Sequence, residues 1–261
     1  SLWSAAGLPI ALHAGFDAFR ELLNGAAAMD AHALRAPFLH NLPMRLALTG
    51  VWNQSFLKLP GHAVLPYAHR LGLMPKALQQ LEMESNDKST DLDGLPVDYP
   101  TCPILFGEPG TDGQHSFHQW LHQGATRASC DVILVANPMS REAHLEGHHD
   151  ALLANGIAQS DALWHGEAHA DRHRHYEGGR PVTVIVLPEL DAFHLGALLA
   201  LYEQKVAMQG FVWHINSFDQ MGVELGKRLA RERLATLGSA ATPLQERLAA
   251  LRRAPRPRER R

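Results

Sequence analysis

Cysteine is scarce in this sequence, and its scarcity bears on where the protein works. Only two of the 261 residues are cysteines, Cys102 and Cys130. Two cysteines still permit one disulfide, but they exclude the disulfide framework of a small secreted domain. We therefore expect a protein of the reducing cytoplasm.

The sequence also lacks a strong excess of charge of either sign. Its 24 Lys and Arg residues nearly balance 27 Asp and Glu residues, which gives a formal net charge of −3. That balance argues against a nucleic-acid-binding protein, which would carry a basic patch. Because 46% of the residues are hydrophobic, the composition indicates a soluble globular protein with one large core.

No apolar run is long enough to predict a signal peptide or a membrane span. The opening residues 1–16 are apolar, but they lack a basic leader and are interrupted by Pro9, His13 and Gly15. We interpret this segment as a buried helix. The sequence has no initiator methionine and starts inside an apolar pattern without a helix cap, so we expect a fragment of a longer protein.

Short apolar segments alternate with helical patterns along the chain, which predicts an α/β fold. Since such strands pair in parallel under helices on both faces, we expect a parallel sheet flanked by helices, then C-terminal helices. The predicted strands lie in residues 62–67, 102–108, 130–138 and 182–190, and the predicted helices in residues 1–25, 42–57, 71–85, 113–124, 140–159, 191–213 and 217–237. We place the end of the domain at residue 240 and assign residues 241–261, rich in Ala and Arg, to a C-terminal helix and a solvated or disordered tail.

A glycine-rich loop follows the second predicted strand, in the segment GEPGTDGQHSFHQWLHQG (residues 107–124). A strand, a tight loop and a helix place functional groups at the carboxyl edge of a parallel sheet, with His115 in the first turn of the helix. The glycine spacing fits neither the dinucleotide-binding nor the Walker pattern. A glycine turn followed by a surface histidine remains the simpler interpretation of the residues alone.

Two further segments place polar residues at helical spacing. In LQQLEMESN, Gln80 and Glu84 lie one turn apart near a helix end, and a carboxylate directed at the carboxyl edge of the sheet is well placed to act as a base. In SFDQMGVELGK, Ser217 and Gln220 form a capping box that predicts a helix start at the serine.

Lys227 follows Gln220 on the same predicted helix stripe. Glu224 lies between them and can pair with Lys227 or Arg228 on a solvated face. An ordinary surface ion pair is therefore an alternative to a functional role for these side chains.

Histidine is abundant, with 17 residues, and WHGEAHADRHRHYEGG raises the question of a metal site. His165 and His169 would share a helix face, as zinc ligands often do, and His173 and His175 follow. However, the interleaved Arg172 and Arg174 would repel a cation, and no carboxylate or cysteine is placed as in a known site. We expect no metal.

Several long segments are similar to those of glucose-6-phosphate isomerases. GEPGTDGQHSFHQWLHQG and INSFDQMGVELGK resemble the two most diagnostic segments of that family. The resemblance includes the opening residues 1–26, LQQLEMESN, CDVILVANP, YEGGRP and GALLALYEQKVAMQGFVWHINSF, and extends to about residue 235. It implies the second sugar-isomerase domain of the enzyme, a flavodoxin-like three-layer sandwich, without the first sugar-isomerase domain.

The resemblance also implies a reaction and its residues. The family interconverts glucose 6-phosphate and fructose 6-phosphate through a cis-enediol intermediate, in glycolysis and gluconeogenesis, with no metal or organic cofactor. Glu84 matches the catalytic base, His115 and Lys227 match the ring-opening pair, and Gln80 and Gln220 match glutamines of the sugar-phosphate pocket. The family is homodimeric, with the histidine donated to the partner's site.

This sequence departs from the family at Asp112, His118 and Met221, where asparagine, tyrosine or phenylalanine, and tryptophan are usual. None of these is a catalytic position in the family. The family's phosphate loop and a catalytic arginine belong to the part that precedes this chain, so we expect the fragment to be inactive alone. A non-catalytic sugar-phosphate-binding module is the alternative, although such a module needs the phosphate loop and not the base.

Overall fold

The structure is a computed structural model that describes residues 2–138, 142–236 and 242–253, apart from the side chains of residues 143–146. It contains a four-stranded sheet in the order β2-β1-β3-β4, with every neighbouring pair parallel. The strands are β1 (Gly61–Pro66), β2 (Ile104–Phe106), β3 (Ala128–Val135) and β4 (Val182–Leu187). The predicted parallel α/β sheet is confirmed, with each strand inside its predicted segment or within two residues of it.

Helices precede, connect and follow the strands. The α-helices are α1 (Leu8–Ala14), α2 (Phe16–Arg35), α3 (Leu42–Val51), α4 (Met74–Leu78), α5 (Gly110–Gly113), α6 (His118–Gln123), α7 (Ala143–His165), α8 (Ala192–Val212), α9 (Met221–Thr236) and α10 (Pro243–Arg253). Two π-helical turns, Trp52–Phe56 and Gln79–Glu84, extend α3 and α4, and short 3-10 turns lie at Ala5–Gly7, Phe38–His40, His69–Leu71 and Arg172–Arg174. No helix among the described residues is long and apolar enough to span a membrane.

Helices cover both faces of the sheet and give it three layers. Side chains alternate between the two faces of a strand, so neighbouring residues of β1 enter different cores. Val64 packs with Leu78 of α4 and Leu198 of α8, whereas Leu65 packs on the opposite face. There the core includes Leu121 of α6 and Leu163 of α7. The two central strands, β1 and β3, are therefore buried on both faces, as their continuous apolar runs predict, whereas the edge strands β2 and β4 carry exposed apolar residues such as Ile104 and Val186.

The opening segment differs from its prediction as a buried helix. Gly15 has a φ of 88° and separates α1 from α2. No residue of α1 is buried, and Leu12 is 77% exposed. The prediction of one buried helix over the opening residues is therefore wrong, because its apolar side chains face outward from the rest of the chain.

The chain divides into two compact units, Ser1–Ser217 and Phe218–Arg261. The first contains the sheet and its flanking helices. The second contains α9 and α10. The boundary predicted at residue 240 and the end of the predicted tail, residues 254–261, lie outside the described residues.

Candidate active site

Glu84 ends the π-helical turn that continues α4. In this turn Gln80 and Glu84 are both exposed, whereas Glu82 between them is only 1% exposed. The Gln79 side chain donates to the backbone oxygen of Leu105 in β2 at 2.8 Å and ties the turn to the sheet. The predicted pair, Gln80 and Glu84, thus lies together on the outer side of an anchored turn.

Buried contacts fix the chain on both sides of Glu84. Two residues before it, the Glu82 carboxylate forms an ion pair with Lys205 of α8, with Nζ–O distances of 2.6 and 2.8 Å. Two residues after it, the fully buried Asn86 donates to the backbone oxygen of Val206 at 3.0 Å. Because both anchors lie on α8, the backbone that carries Glu84 has little freedom to move.

Ser217 provides a further contact to this segment. Its hydroxyl donates to the Asn86 side-chain oxygen at 2.6 Å, and α9 begins at Met221. The capping-box prediction, in which Ser217 starts the helix, is therefore wrong. A nearby buried acceptor in the folded chain binds the hydroxyl, and local sequence spacing does not reveal such an acceptor.

Glu84 lies at the amino edge of the sheet, and the expectation that it faces the carboxyl edge is wrong. The chain leaves β1 at its carboxyl end and returns along α4 and the π-helical turn. The backbone oxygen of Glu82 accepts from the Cys102 thiol at 3.6 Å, two residues before β2 starts at Ile104. A helix that returns after a parallel strand runs antiparallel to it, so its last residues lie at the amino edge.

His115 lies at the other edge, in a turn between α5 and α6 and not in the first turn of a helix as predicted. It is exposed, and its backbone N–H donates to the backbone oxygen of Asp112 at 3.0 Å. The neighbouring Gln114 side chain donates to the Tyr67 hydroxyl at 3.3 Å, just beyond the carboxyl end of β1. The predicted location of the histidine at the carboxyl edge is thus confirmed.

Glycine is required in the loop that leads to His115. A Cβ atom at Gly107, which has a φ of 156°, would lie 2.0 Å from the backbone oxygen of Val64. A Cβ atom at Gly110 would lie 2.2 Å from the Tyr67 ring. The loop can therefore pass this close to β1 only without side chains at these two positions.

The remaining predicted residues, Gln220 and Lys227, belong to the second unit. Lys227 lies in α9 and its Nζ forms an ion pair with the Glu224 carboxylate at 2.8 Å. One of the two surface pairings considered for Glu224 is thus confirmed, while Arg228 pairs with Glu232. The Lys227 ammonium already has one carboxylate partner.

The histidine-rich segment, as far as the structure describes it, does not group its side chains as metal ligands. Helix α7 ends at His165, so the prediction that His165 and His169 share a helix face is wrong. The His169 ring instead bonds to the backbone of Asp171. Among the residues that the structure describes, no three His, Cys, Asp or Glu side chains are grouped so that they could hold a metal ion.

A buried polar network, which the sequence analysis missed, lies between β1, β3 and α8. His62 contacts the Ser129 hydroxyl at 2.8 Å through Nδ1 and the Asp131 carboxylate at 3.1 Å through Nε2, and the Tyr202 hydroxyl donates to Asp131 at 2.9 Å. Burial raises the pKa of Asp131, but His62, Lys205 and the Tyr202 hydrogen bond outweigh burial and lower it overall. A charged residue inside an otherwise apolar strand, Asp131, was the feature of the sequence from which this network could have been predicted.

Ser129, His62 and Asp131 are arranged like a hydrolase triad, but they cannot act as one. The cavity beside them holds about 20 Å³, which is room for one water molecule and not for a substrate. A nucleophilic serine must reach a substrate carbon. We therefore assign the network to the stability of the core.

The comparisons with known proteins agree with the fold and with the quoted segments. The family model described as "Phosphoglucose isomerase" matches residues 1–243. The glucose-6-phosphate isomerase of Chlorobium luteolum is 47% identical, with 92% of this chain and 46% of that protein covered. That of Stenotrophomonas maltophilia is 50% identical, with coverage of 91% and 46%. The chain thus spans about half the length of the curated relatives that it matches.

Solved structures are similar over most of the chain. A crystal structure of a glucose-6-phosphate isomerase from Chlamydia trachomatis superposes with a TM-score of 0.83 at 41% identity, covering 91% of this chain and 46% of that one. A hypothetical protein from Thermus thermophilus gives a TM-score of 0.68 at 29% identity, with coverage of 83% and 50%. The fold is that of a sugar-isomerase domain, and the chain belongs to the phosphoglucose isomerase family.

Proposed function

We propose that this chain is the C-terminal part of an enzyme that interconverts glucose 6-phosphate and fructose 6-phosphate through a cis-enediol intermediate. Relatives at 47% and 50% identity carry the name glucose-6-phosphate isomerase. The observation that carries the proposal is the exposed Glu84 carboxylate on a turn that Glu82 and Asn86 anchor to α8. A base that must return the same proton to a neighbouring carbon needs such a fixed position.

Glu84 is the proposed base. The hydrogen on C2 of glucose 6-phosphate is a weak acid, and a positioned carboxylate can remove it and return it to C1 on the same face of the sugar. Gln80 lies on the same exposed side of the π-helical turn. Its side-chain amide would bind the sugar phosphate beside the base.

His115 and Lys227 are the proposed ring-opening pair, with Gln220 as a further substrate-binding residue. Ring opening moves a proton from the anomeric hydroxyl to the ring oxygen, which suits an imidazole assisted by an ammonium group. Because Lys227 pairs with Glu224, the carboxylate would have to share the ammonium group with substrate. No metal or organic cofactor is needed for any of these proton transfers.

The opposite positions of Glu84 and His115 support a site shared between two chains. They lie at different edges of the sheet, and β1 between the edges has six residues. At about 3.3 Å per residue, such a strand spans on the order of 16 to 20 Å, far beyond the reach of proton transfer. A homodimer in which His115 serves the partner's site would bring the two groups together.

The isolated chain is expected to be inactive. In the family resemblance, the phosphate loop and the arginine that stabilises the enediolate belong to the preceding part of the enzyme. Loss of such fixed cations costs several kcal/mol of transition-state stabilisation, roughly a 10²- to 10³-fold rate loss for each donor group. A cytoplasmic location, expected from the cysteine content, stays a prediction.

The test joins this chain to the N-terminal half of the Chlorobium luteolum enzyme, in place of that protein's own C-terminal half. We expect this hybrid enzyme to isomerise glucose 6-phosphate and its Glu84→Gln variant to lose at least ~100-fold in rate. The inhibition constant of a sugar-phosphate analogue should change little, because glutamine retains the shape of glutamate. Solvent deuterium incorporation at C2 and anomerisation of the same substrate are measured in parallel.

Glu189→Gln is the matched control, since Glu189 is also exposed but follows β4 at the other edge of the sheet. Its hybrid should keep the parent rate. Lost exchange with surviving anomerisation would separate Glu84 from the ring-opening pair. Exchange at the parent rate in the Glu84→Gln variant would show that another residue moves the proton. Binding of the analogue by a folded parent hybrid without turnover would favour the binding-module alternative.

A further inference from the structure

A cleft of about 490 Å³ lies on the α6 and α7 side of the sheet, away from Glu84. Its lining includes Gln123, the last residue of α6, and Gly124 directly after it. The other side consists of Arg172, His173, His175 and Arg180, from the histidine-rich segment and the start of the strand that follows it. We call it the arginine cleft. Clefts of this size accommodate small metabolites.

Arg180 is the buried cation of the arginine cleft. It is 2% exposed, and its Nη2 donates to the backbone oxygen of Gly124 at 2.8 Å, which caps the end of α6. Its Nε and Nη1 have no hydrogen-bond acceptor among the described residues. Burial, together with the charge of Arg127, lowers the pKa of Arg180. An anion is the natural partner for unpaired donors on a buried guanidinium.

The carboxylate that lines the cleft already has a partner. Glu177 also lines the cleft, but its carboxylate pairs with Arg127 at 3.0 Å. Within the described residues neither Arg172 nor Arg180 forms an ion pair with a carboxylate. The arginines that argue against a metal ion in this segment therefore give the cleft a positive charge.

Side chains other than the two arginines hold the wall of the cleft in place. The Gln123 amide donates to the backbone oxygens of His173 and His175 at 3.0 and 3.1 Å. The Asp171 carboxylate accepts from the His173 N–H at 2.9 Å and begins the 3-10 turn that carries Arg172. An ordered wall loses less conformational entropy when a ligand binds.

We propose that the arginine cleft binds a phosphate group, either as inorganic phosphate or as the phosphate ester of a small metabolite, with Arg180 as the buried cation and Arg172 as the exposed one. Guanidinium groups are the preferred protein partners of phosphate because they donate charge-assisted hydrogen bonds from a rigid plane. The two histidines add ring N–H donors at the rim. This site is separate from the one that contains Glu84.

The test is calorimetric titration of inorganic phosphate into the purified 261-residue chain at constant ionic strength. We expect saturable binding that Arg172→Gln weakens at least ~5-fold, as the loss of one charge-assisted contact should. Arg174→Gln is the matched control: Arg174 lies in the same 3-10 turn and is also exposed, but it is not among the residues that line the cleft. It should weaken binding less than ~2-fold, since distant surface charges are screened.

Glycerol 3-phosphate is titrated in the same way. Tighter binding than inorganic phosphate would identify a phosphate ester as the ligand, and equal or weaker binding would identify the free ion. Arg180→Lys should also weaken binding, with circular dichroism to confirm the fold. If that variant unfolds, the comparison of Arg172→Gln with Arg174→Gln decides alone.

Three results would overturn the proposal: no saturable binding, equal losses in Arg172→Gln and Arg174→Gln, or parent affinity in folded Arg180→Lys. The chain with Glu84→Gln should bind phosphate as tightly as the parent chain. Glu84 follows α4, which packs on one face of the sheet, whereas the arginine cleft lies beside α6 on the other face. Failure of the phosphate site would thus leave the proposed isomerase activity untouched, and failure of the isomerase proposal would leave the phosphate site.

Discussion

A buried residue that titrates differently in the folded and unfolded chain makes stability depend on pH, and His118 is such a residue. The residue is only 5% exposed, and neither ring nitrogen has a hydrogen-bond partner among the described residues. Burial, with a contribution from His122, lowers its pKa from 6.5 to about 4. The folded chain therefore holds this imidazole neutral under conditions in which the unfolded chain would protonate it.

His118→Phe should flatten the dependence of stability on pH. Between pH 6.5 and 4 the unfolded chain binds a proton at residue 118 that the folded chain does not, so acid favours unfolding in that window. A difference of about 2.5 pKa units corresponds to at most roughly 3 kcal/mol. Phenylalanine, which with tyrosine is usual at this position in the family, does not titrate and therefore removes this contribution to the pH dependence. Urea unfolding at pH 7 and pH 4.5 measures it.

His165→Gln is the control for that experiment, because His165 is exposed at the end of α7. Its loss of stability between the two pH values should equal that of the parent chain. An equally steep loss in His118→Phe would show that other groups, and not His118, cause the acid sensitivity.

At the scale of elements, glycine determines how closely α2 and α8 approach. A Cβ atom at Gly25 of α2 would lie 1.8 Å from the backbone oxygen of Phe193, and one at Gly196 of α8 would lie 2.0 Å from that of Leu22. Each glycine therefore receives the backbone of the other helix. This contact holds α8, which carries Lys205 and Val206, and so supports the turn that carries Glu84.

Gly25→Ala should force the two helices apart. The added methyl group meets backbone atoms, which cannot move aside as a flexible side chain can, so we expect a loss of roughly 1 to 3 kcal/mol in the free energy of unfolding. Gly147→Ala is the control, since no heavy atom lies within 4 Å of its Cβ position in α7. That change should stabilise the chain by about 0.5 to 1 kcal/mol, because alanine favours helix. Unchanged stability in Gly25→Ala would contradict the close approach.

At the scale of the whole molecule, the separation of Glu84 from His115 determines what one chain can do. One lies at the amino edge of the sheet and the other at the carboxyl edge. No side-chain rotation bridges a strand length. A single active site that uses both residues, as we propose, would therefore need two copies of the chain.

Mixing two inactive variants of the hybrid enzyme tests this requirement. Glu84→Gln and His115→Leu should each be inactive, yet a co-refolded equal mixture should recover about one quarter of the parent sites. Half of the dimers are mixed under random association, and one site in each mixed dimer carries neither change. Differently tagged subunits verify that mixed dimers form. Mixed dimers without activity would exclude a shared site, and so would sedimentation of an active monomer.

The strands and the residue identities of the proposed site could be predicted from the sequence alone. Buried parallel strands are continuous apolar runs, and β1 to β4 each lie in or beside such a run. The long matching segments named Glu84, His115 and Lys227 as candidates. Apolar runs and matching segments are both local features of the chain, so they can be recognised without knowledge of how the chain packs.

Only the tertiary structure decided which groups meet. Ser217 has the spacing of a helix cap, yet its hydroxyl donates to Asn86, which is 131 residues away in sequence. Nothing in the local sequence distinguishes Glu82 from the exposed Glu84, yet Glu82 is buried against Lys205 of α8. Glu84 and His115 lie close in sequence but at opposite edges of the sheet. A hydrogen bond or ion pair depends on where distant segments pack, and local periodicity contains no information about that.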